Sequence, residues 1–310
     1  MLLRFVLTTS VLLSGCSSLG LLENPITVGN VPSPTEPAAL DAALKKRLLV
    51  LPFINRSDFQ DESLVRVALF DVRQAVLGAP DLLLVNEEDL EDPETIYSAG
   101  GEYHLRKVFE QAKKAAASGV IVGRIEEVAV IEEGEDTGVL GAKQRYATAR
   151  VRFQLYDVAT EKEVFTRTAT AEVQQERVPW LDMRSPASEP EEGKEAVSRA
   201  LRKILDRFPV IARKLAWMGR IARIDLNRFY VTGGELTGLR PGQLLRVYEA
   251  GAPVTDGSSG QALGLAPGRF KGLLKVTQNF GPDASVAVLY TGAGFREQDR
   301  IEVHNPDANP

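Results

Sequence analysis

The feature that most constrains the fold is the apolar run at Arg47–Phe53, RLLVLPF, in which five of the residues after Arg47 are large and apolar. A strand without polar and apolar alternation is typical of a position buried on both faces of a sheet. Asp81–Val85 and Val120–Val122 have the same character. The segments between the three strands carry apolar residues three or four positions apart, which predicts two amphipathic helices that end near Gly78 and Gly119. Helices must therefore cover this sheet.

The pattern changes in the middle of the chain. Thr148–Val158 alternates strictly, and a turn at residues 159–162 leads to a second alternating segment from about Glu163 to Gln174. This predicts an antiparallel hairpin with one solvated face. A last helix carries Val197, Leu201 and Ile204 and is kinked or ended by Pro209. Residues 45–215 are thus predicted to form an α/β sandwich with a mixed sheet.

A second unit is predicted from residue 219 to residue 304. Short strands alternate there with turns rich in Gly and Asp, which is typical of a small all-β barrel or sandwich. The predicted core of this unit is Leu244, Val247, Leu273, Val276, Val286, Val288, Leu289 and Ile301.

The first fifteen residues have the pattern of a secretory signal. Arg4 supplies a positive charge, Phe5–Leu13 is largely apolar, and the small residues Ser14 and Gly15 precede Cys16. The apolar run is shorter than the roughly 18–20 residues that span a bilayer. The sequence LSGC resembles the lipobox of bacterial lipoproteins, which implies that Cys16 becomes the first mature residue and carries acyl chains. The alternative is an ordinary signal that happens to contain a cysteine.

The segment from residue 16 to residue 44 is rich in Pro, Ser, Thr and Gly, and it is predicted to be an extended tether. No aspartate follows Cys16, and by resemblance to lipoprotein signals this favours the outer membrane, with the folded part on the periplasmic side. Two or more acyl chains would give stable anchoring.

The composition offers little material for catalysis. Cys16 is the single cysteine, so an internal disulfide is excluded. The two histidines, His104 and His304, lie in different predicted units, which disfavours a His-based metal site or triad. We expect no cofactor, no metal and no enzymatic activity. The net charge of −5 gives no support to nucleic-acid binding.

One loop stands out as a candidate for partner contact. Val178, Pro179, Trp180 and Leu181 place an aromatic residue next to a proline between the predicted hairpin and the last helix. Exposed aromatic residues often anchor protein interfaces. The alternative, in which Trp180 folds back onto the core, has the same sequence signature.

Three stretches of the first unit together resemble the domain shared by the curli secretion lipoprotein CsgG and the amino-terminal domain of TolB. They are Leu48–Asn55, Gly119–Gly123 and Val151–Thr168. The resemblance covers about residues 45–215 and implies an α/β fold, envelope assembly work and a possible homo-oligomeric ring. The curli channel uses two membrane hairpins per subunit, whereas the segments here, residues 132–143 and 175–192, are acidic or rich in proline. We therefore expect a relative without the pore.

The second unit resembles the carboxy-terminal domain of the flagellar assembly protein T. The matching segments are Gly234–Gln243, Leu245–Tyr248, Val254–Asp256 and Gly260–Gly264, followed by Gly272–Val276. Together the two resemblances imply a non-enzymatic scaffold subunit of an envelope complex of flagellar, pilus or secretion type. Two alternatives stay open: a secretion channel subunit, and an activator of a peptidoglycan synthase of the LpoB type.

Overall fold

A six-stranded mixed sheet forms the first half of the protein. The computed structural model describes residues 44–133, 143–177, 191–259, 262–266 and 268–304. Five strands follow the order β3-β1-β4-β5-β6. The sixth, β2, lies outside this order and pairs with β4. β1 is parallel to both its neighbours, whereas β4, β5 and β6 are antiparallel. The strands are β1 (Lys46–Val50), β2 (Ile54–Asn55), β3 (Leu82–Asn86), β4 (Gly119–Glu133), β5 (Lys143–Asp157) and β6 (Lys162–Arg177).

Helices cover both faces of the parallel part of this sheet. They are α1 (Glu62–Leu77), α2 (Leu105–Lys114), α3 (Glu191–Leu205) and the short α4 (Phe208–Ala212). α1 and α3 bury Val72 and Leu201 with Phe153 of β5 in one core, and α2 buries Phe109 with Val120 of β4 in another. No helix among the described ranges has both the length and the apolar character needed to cross a membrane.

The predicted sandwich with a mixed sheet is confirmed, but three of its elements differ in extent. β4 runs for 15 residues, far beyond the predicted Val120–Val122, because its second half pairs with β5. β5 likewise begins at Lys143 and not at Thr148. Pro209 lies in the first turn of α4, where a proline costs no hydrogen bond, so a new helical turn begins there.

The second half is a closed barrel, which settles the choice between barrel and sandwich. Its strand order is β12-β13-β8-β7-β14-β9, and β10 and β11 form a separate two-stranded sheet. The strands are β7 (Gly219–Asp225), β8 (Arg228–Thr232), β9 (Leu244–Tyr248), β10 (Pro253–Thr255), β11 (Ala262–Leu265), β12 (Phe270–Phe280), β13 (Ala284–Gly292) and β14 (Arg300–Val303).

The barrel core corrects part of the predicted set. Val247, Val276, Val286 and Ile301 are buried as expected. Leu244, Leu273 and Val288 are only partly buried, and Leu289 is 51% exposed. The neighbouring Leu245 and Leu274 occupy the interior instead, together with Trp217. The interior positions alternate on β9 and on β12, and the predicted Leu244 and Leu273 are each one position out of that alternation.

The sheet and the barrel lie within one compact unit, Glu36–Pro310. Leu44, two residues before β1, is buried in the barrel core. Arg47 of β1 forms a 2.6 Å ion pair with Asp283 in the turn before β13. The predicted division into units at residues 45–215 and 219–304 stays a prediction, and Met218, between these bounds, packs in the core of the α/β part.

Candidate functional site

The residues singled out from the sequence lie outside the described ranges. Cys16 precedes residue 44, and Val178, Pro179, Trp180 and Leu181 fall between residues 177 and 191. Lipidation and partner contact at these positions therefore stay predictions. The described elements show only that this loop follows the end of β6 and precedes α3.

The edge of the sheet at β6 is the first candidate surface. β6 is 16 residues long and is the last strand of the sheet, so among the described strands it pairs only with β5. Its outer edge has a row of backbone donors and acceptors without a strand partner, which is the arrangement that accepts an added strand. Lys203 of α3 donates to the Thr170 carbonyl at 2.8 Å. Val164 on this strand is 45% exposed.

The face of β5 and β6 opposite α3 is polar. The register places Thr166, Thr168 and Thr170 of β6 directly across from Gln154, Arg152 and Arg150 of β5. The three threonines are exposed. Residues on the other face of β5, Ala149, Val151, Phe153 and Leu155, are buried under the helices. The hairpin thus has the predicted solvated face, now with a defined set of side chains.

Acidic residues partly neutralise the arginines on this face. Arg124 and Arg152 lie opposite each other on β4 and β5, where like charges repel. Glu102 accepts hydrogen bonds from Arg56 Nε and from Arg124 Nη2, each at 2.8 Å. The hydrogen bond from Arg56 and the charge of Arg124 hold the pKa of Glu102 below its ordinary value, although burial opposes them. Arg150 pairs with Glu127 at 3.4 Å.

A cleft of about 340 Å³ lies where the sheet meets the barrel, and it is the second candidate. The turn between β5 and β6 forms one wall, and residues 249–251 with Ala266 and Gly268 form the other. Ala159, Ala250 and Ala266 contribute accessible apolar surface. A Cβ on Gly268 would lie 1.8 Å from the Glu249 carbonyl oxygen, so the wall requires glycine there. This volume suits a small molecule.

Four cationic side chains and one carboxylate line this cleft: Lys113, Lys162, Arg220, Arg300 and Glu249. Three of these charges have partners. Lys113 binds Glu161 at 2.5 Å, Arg300 binds Glu302 at 3.0 Å, and Glu249 binds Arg269 at 2.9 Å. Lys162 and Arg220 form no ion pair with a described residue.

Arg220 is a partly buried cation in the lining of the cleft. Its Nε donates to the Lys114 carbonyl at 2.6 Å, and no carboxylate of the described residues lies within ion-pair distance. Burial lowers the pKa of Arg220 despite the opposing field of Glu91. Glu91 is itself bound to Lys114 Nζ at 2.7 Å. A partly desolvated guanidinium without a counterion is unfavourable, so this position favours an anion.

Neither histidine contributes to these surfaces. His104 is exposed at the start of α2, without a side-chain capping bond. His304 accepts from Arg246 Nε at 3.2 Å in the barrel. Within the described ranges, no group of three or more His, Cys, Asp or Glu side chains is arranged to hold a metal ion.

Comparison with known proteins yields structural likenesses only. No family model matches the chain, and no curated protein matches it. A PelC dodecamer structure from Paraburkholderia phytofirmans is 17% identical and covers 52% of this chain and 86% of its own, with a TM-score of 0.27. Lipoprotein GNA1162 from Neisseria meningitidis is 13% identical and covers 52% of this chain and 99% of its own, with a TM-score of 0.30.

The LpoB carboxy-terminal domain from Escherichia coli is 16% identical and covers 43% of this chain and 85% of its own, with a TM-score of 0.31. These scores are too low to establish a family. The predicted resemblances to the CsgG and TolB domain and to the flagellar assembly protein T stay predictions.

Sequence reasoning missed the cleft between the sheet and the barrel. Its lining combines α2, a hairpin turn, the segment before β7 and barrel loops that are distant in sequence. The available signal was Arg220, a cation at the start of the second predicted unit, just after the short connection at residues 216–218. The open hairpin face, by contrast, follows from the alternation in β5.

Proposed function

We propose that this chain is a non-enzymatic lipoprotein, anchored to the outer membrane through acyl chains on Cys16, that acts as a scaffold subunit of an envelope complex. The observation that carries the proposal is β6, a 16-residue edge strand with three exposed threonines on its solvated face. An edge of this length offers a partner more backbone hydrogen bonds than an average strand of five or six residues.

The occupant we propose is an extended segment of a partner protein that adds to β6 as a further strand. Thr166, Thr168 and Thr170 are β-branched and polar, so they suit a strand that stays in water until the partner arrives. The lipid anchor at Cys16 would hold this edge near the membrane. The chain from Cys16 to Leu44 reaches at most about 100 Å when fully extended.

Site-specific cross-linking in intact cells tests the edge and the anchor together. A photoreactive amino acid in place of Thr168 should cross-link the full-length protein to one larger partner in the membrane fraction. With Cys16→Ala added, the protein should move to the soluble periplasmic fraction and the cross-link should fall at least several-fold, because anchoring raises the local concentration at the membrane.

The matched controls are Ser18→Ala for the anchor and the same photoreactive residue at Arg199, an exposed α3 position, for the surface. Cross-links of equal strength at both positions would contradict docking at the edge. A cross-linked product that contains only this chain would contradict a separate partner protein. It would indicate self-association instead, as in a homo-oligomeric ring. Retention of Cys16→Ala in the membrane would contradict lipid anchoring.

A further inference from the structure

The cleft between the sheet and the barrel has an uncompensated positive charge at a defined place. Lys113 and Arg300 each have a carboxylate partner, and the lining carboxylate of Glu249 is bound to Arg269. Arg220 and Lys162 line the same cleft without an ion-pair partner among the described residues. The charge left for a ligand is therefore about that of a dianion.

We propose that this cleft is a binding site for a small phosphorylated molecule, with the phosphoryl group held by Arg220 and Lys162. Guanidinium groups bind phosphate oxygens through paired N–H donors, and an ammonium group adds a compact charge. Nε of Arg220 is already bound to the Lys114 carbonyl, which fixes the guanidinium while leaving its terminal nitrogens without a described protein acceptor.

The walls of the cleft indicate what the phosphoryl group is attached to. Ala159, Ala250 and Ala266 give accessible apolar surface beside the cations. A volume of about 340 Å³ is at the lower end of ligand pockets. Such a space suits a phosphate ester with a compact apolar body and is larger than inorganic phosphate requires. This site is separate from the β6 edge, so it does not depend on the scaffold proposal.

Titration of the full-length protein in detergent tests the site with two probes, inorganic phosphate and phenyl phosphate, against KCl at equal ionic strength. Binding is measured by ³¹P NMR line broadening and by the shift in thermal unfolding midpoint. We expect both probes to bind, and phenyl phosphate to bind several-fold more tightly. Lys162→Gln should weaken both about three- to tenfold, and Arg220→Gln at least tenfold, because a charged hydrogen bond is lost.

Arg199→Gln on α3 is the matched control and should leave both affinities unchanged. If Arg220→Gln does not fold, Lys162→Gln still decides, because the Lys162 side chain makes no hydrogen bond or ion pair with a described residue. No effect beyond that of KCl, or binding that is unchanged in Lys162→Gln, would overturn the proposal. Equal affinity for phenyl phosphate and inorganic phosphate would overturn the inference that the ligand carries an apolar group.

Discussion

Asp283 shows how one carboxylate can join two distant parts of this chain. Its Oδ1 accepts from the backbone N–H of Gly234 at 2.6 Å and of Thr237 at 2.9 Å. Its Oδ2 accepts from the Thr237 hydroxyl at 2.5 Å and from Arg47 at 2.6 Å. Burial alone would raise the pKa of Asp283, but these hydrogen bonds and the Arg47 charge outweigh burial and hold the pKa below its ordinary value.

Asp283→Asn should therefore lower the free energy of unfolding by about 2–3 kcal/mol at pH 7, since Arg47 loses its buried counterion. A depressed native pKa adds stability that is present above the unfolded value of 3.8 and is lost as pH falls through the native value. The difference between wild type and variant should shrink below about pH 4. Denaturant titrations at pH 7 and at acidic pH measure it.

The control for this prediction is Asp225→Asn, the same change at an exposed position of the barrel. It should alter stability by less than about 0.5 kcal/mol. A pH-independent difference for Asp283→Asn would contradict the role of the ionised carboxylate. Sequence reasoning could not find this network, because Arg47 and Asp283 are 236 residues apart.

Among the elements, β12 and β13 depend most on glycine. Gly272 has φ +149° and lies opposite Gly292, and a Cβ on Gly272 would approach the Thr291 carbonyl oxygen to 2.1 Å. Gly272→Ala should destabilise the barrel by about 2 kcal/mol or more, since the backbone of β13 must move. Hydrogen exchange of the β12 and β13 amides, followed by mass spectrometry, measures the loss.

Gly257→Ala is the matched control, because no atom lies within 4 Å of a Cβ at that position. It should leave amide protection in β12 and β13 unchanged. If Gly272→Ala keeps wild-type protection, the close approach of the two strands has another way to relax, and the assignment of strain to this pair is wrong.

The strands show how much of the burial pattern can be predicted from alternation in the sequence. Strict alternation in β5 predicted correctly that Ala149, Val151, Phe153 and Leu155 face the core. On β12 the alternation holds, since Gly272, Leu274 and Val276 are buried, and the predicted Leu273 is one position out of this pattern. On β13 the adjacent Ser285, Val286 and Ala287 are all buried at a register shift, and an irregularity of this kind leaves no clear mark in the sequence.

At the scale of the whole molecule, one candidate site could be predicted from the sequence and the other could not. The solvated hairpin face depends on local alternation and could be predicted, although its long edge could not, because β6 continues to Arg177. The cleft depends on how the barrel docks on the sheet. That docking is set by long-range contacts such as the hydrogen bond from Arg220 to the Lys114 carbonyl, 106 residues away.

These contacts predict that the sheet and the barrel unfold together. Leu44 is 1% exposed in the barrel core, immediately before β1, and Lys45 N–H donates to the Thr237 carbonyl at 2.9 Å. Because of these two contacts and the ion pair between Arg47 and Asp283, the sheet loses contacts when the barrel unfolds, and the barrel loses contacts when the sheet unfolds. Calorimetry of the wild type should give one transition, with calorimetric and van't Hoff enthalpies that agree.

Arg47→Met should divide that transition into two, because it removes the buried ion pair while Asp283 keeps its Thr237 and Gly234 donors within the barrel. Arg213→Met is the control: it removes a 2.6 Å ion pair to Asp81 that is confined to the α/β part and more exposed, so one transition should remain. Two transitions in the wild type would show that the junction couples the parts only weakly. The cleft would then open without global unfolding, and a ligand bound there would stabilise the junction more than either core.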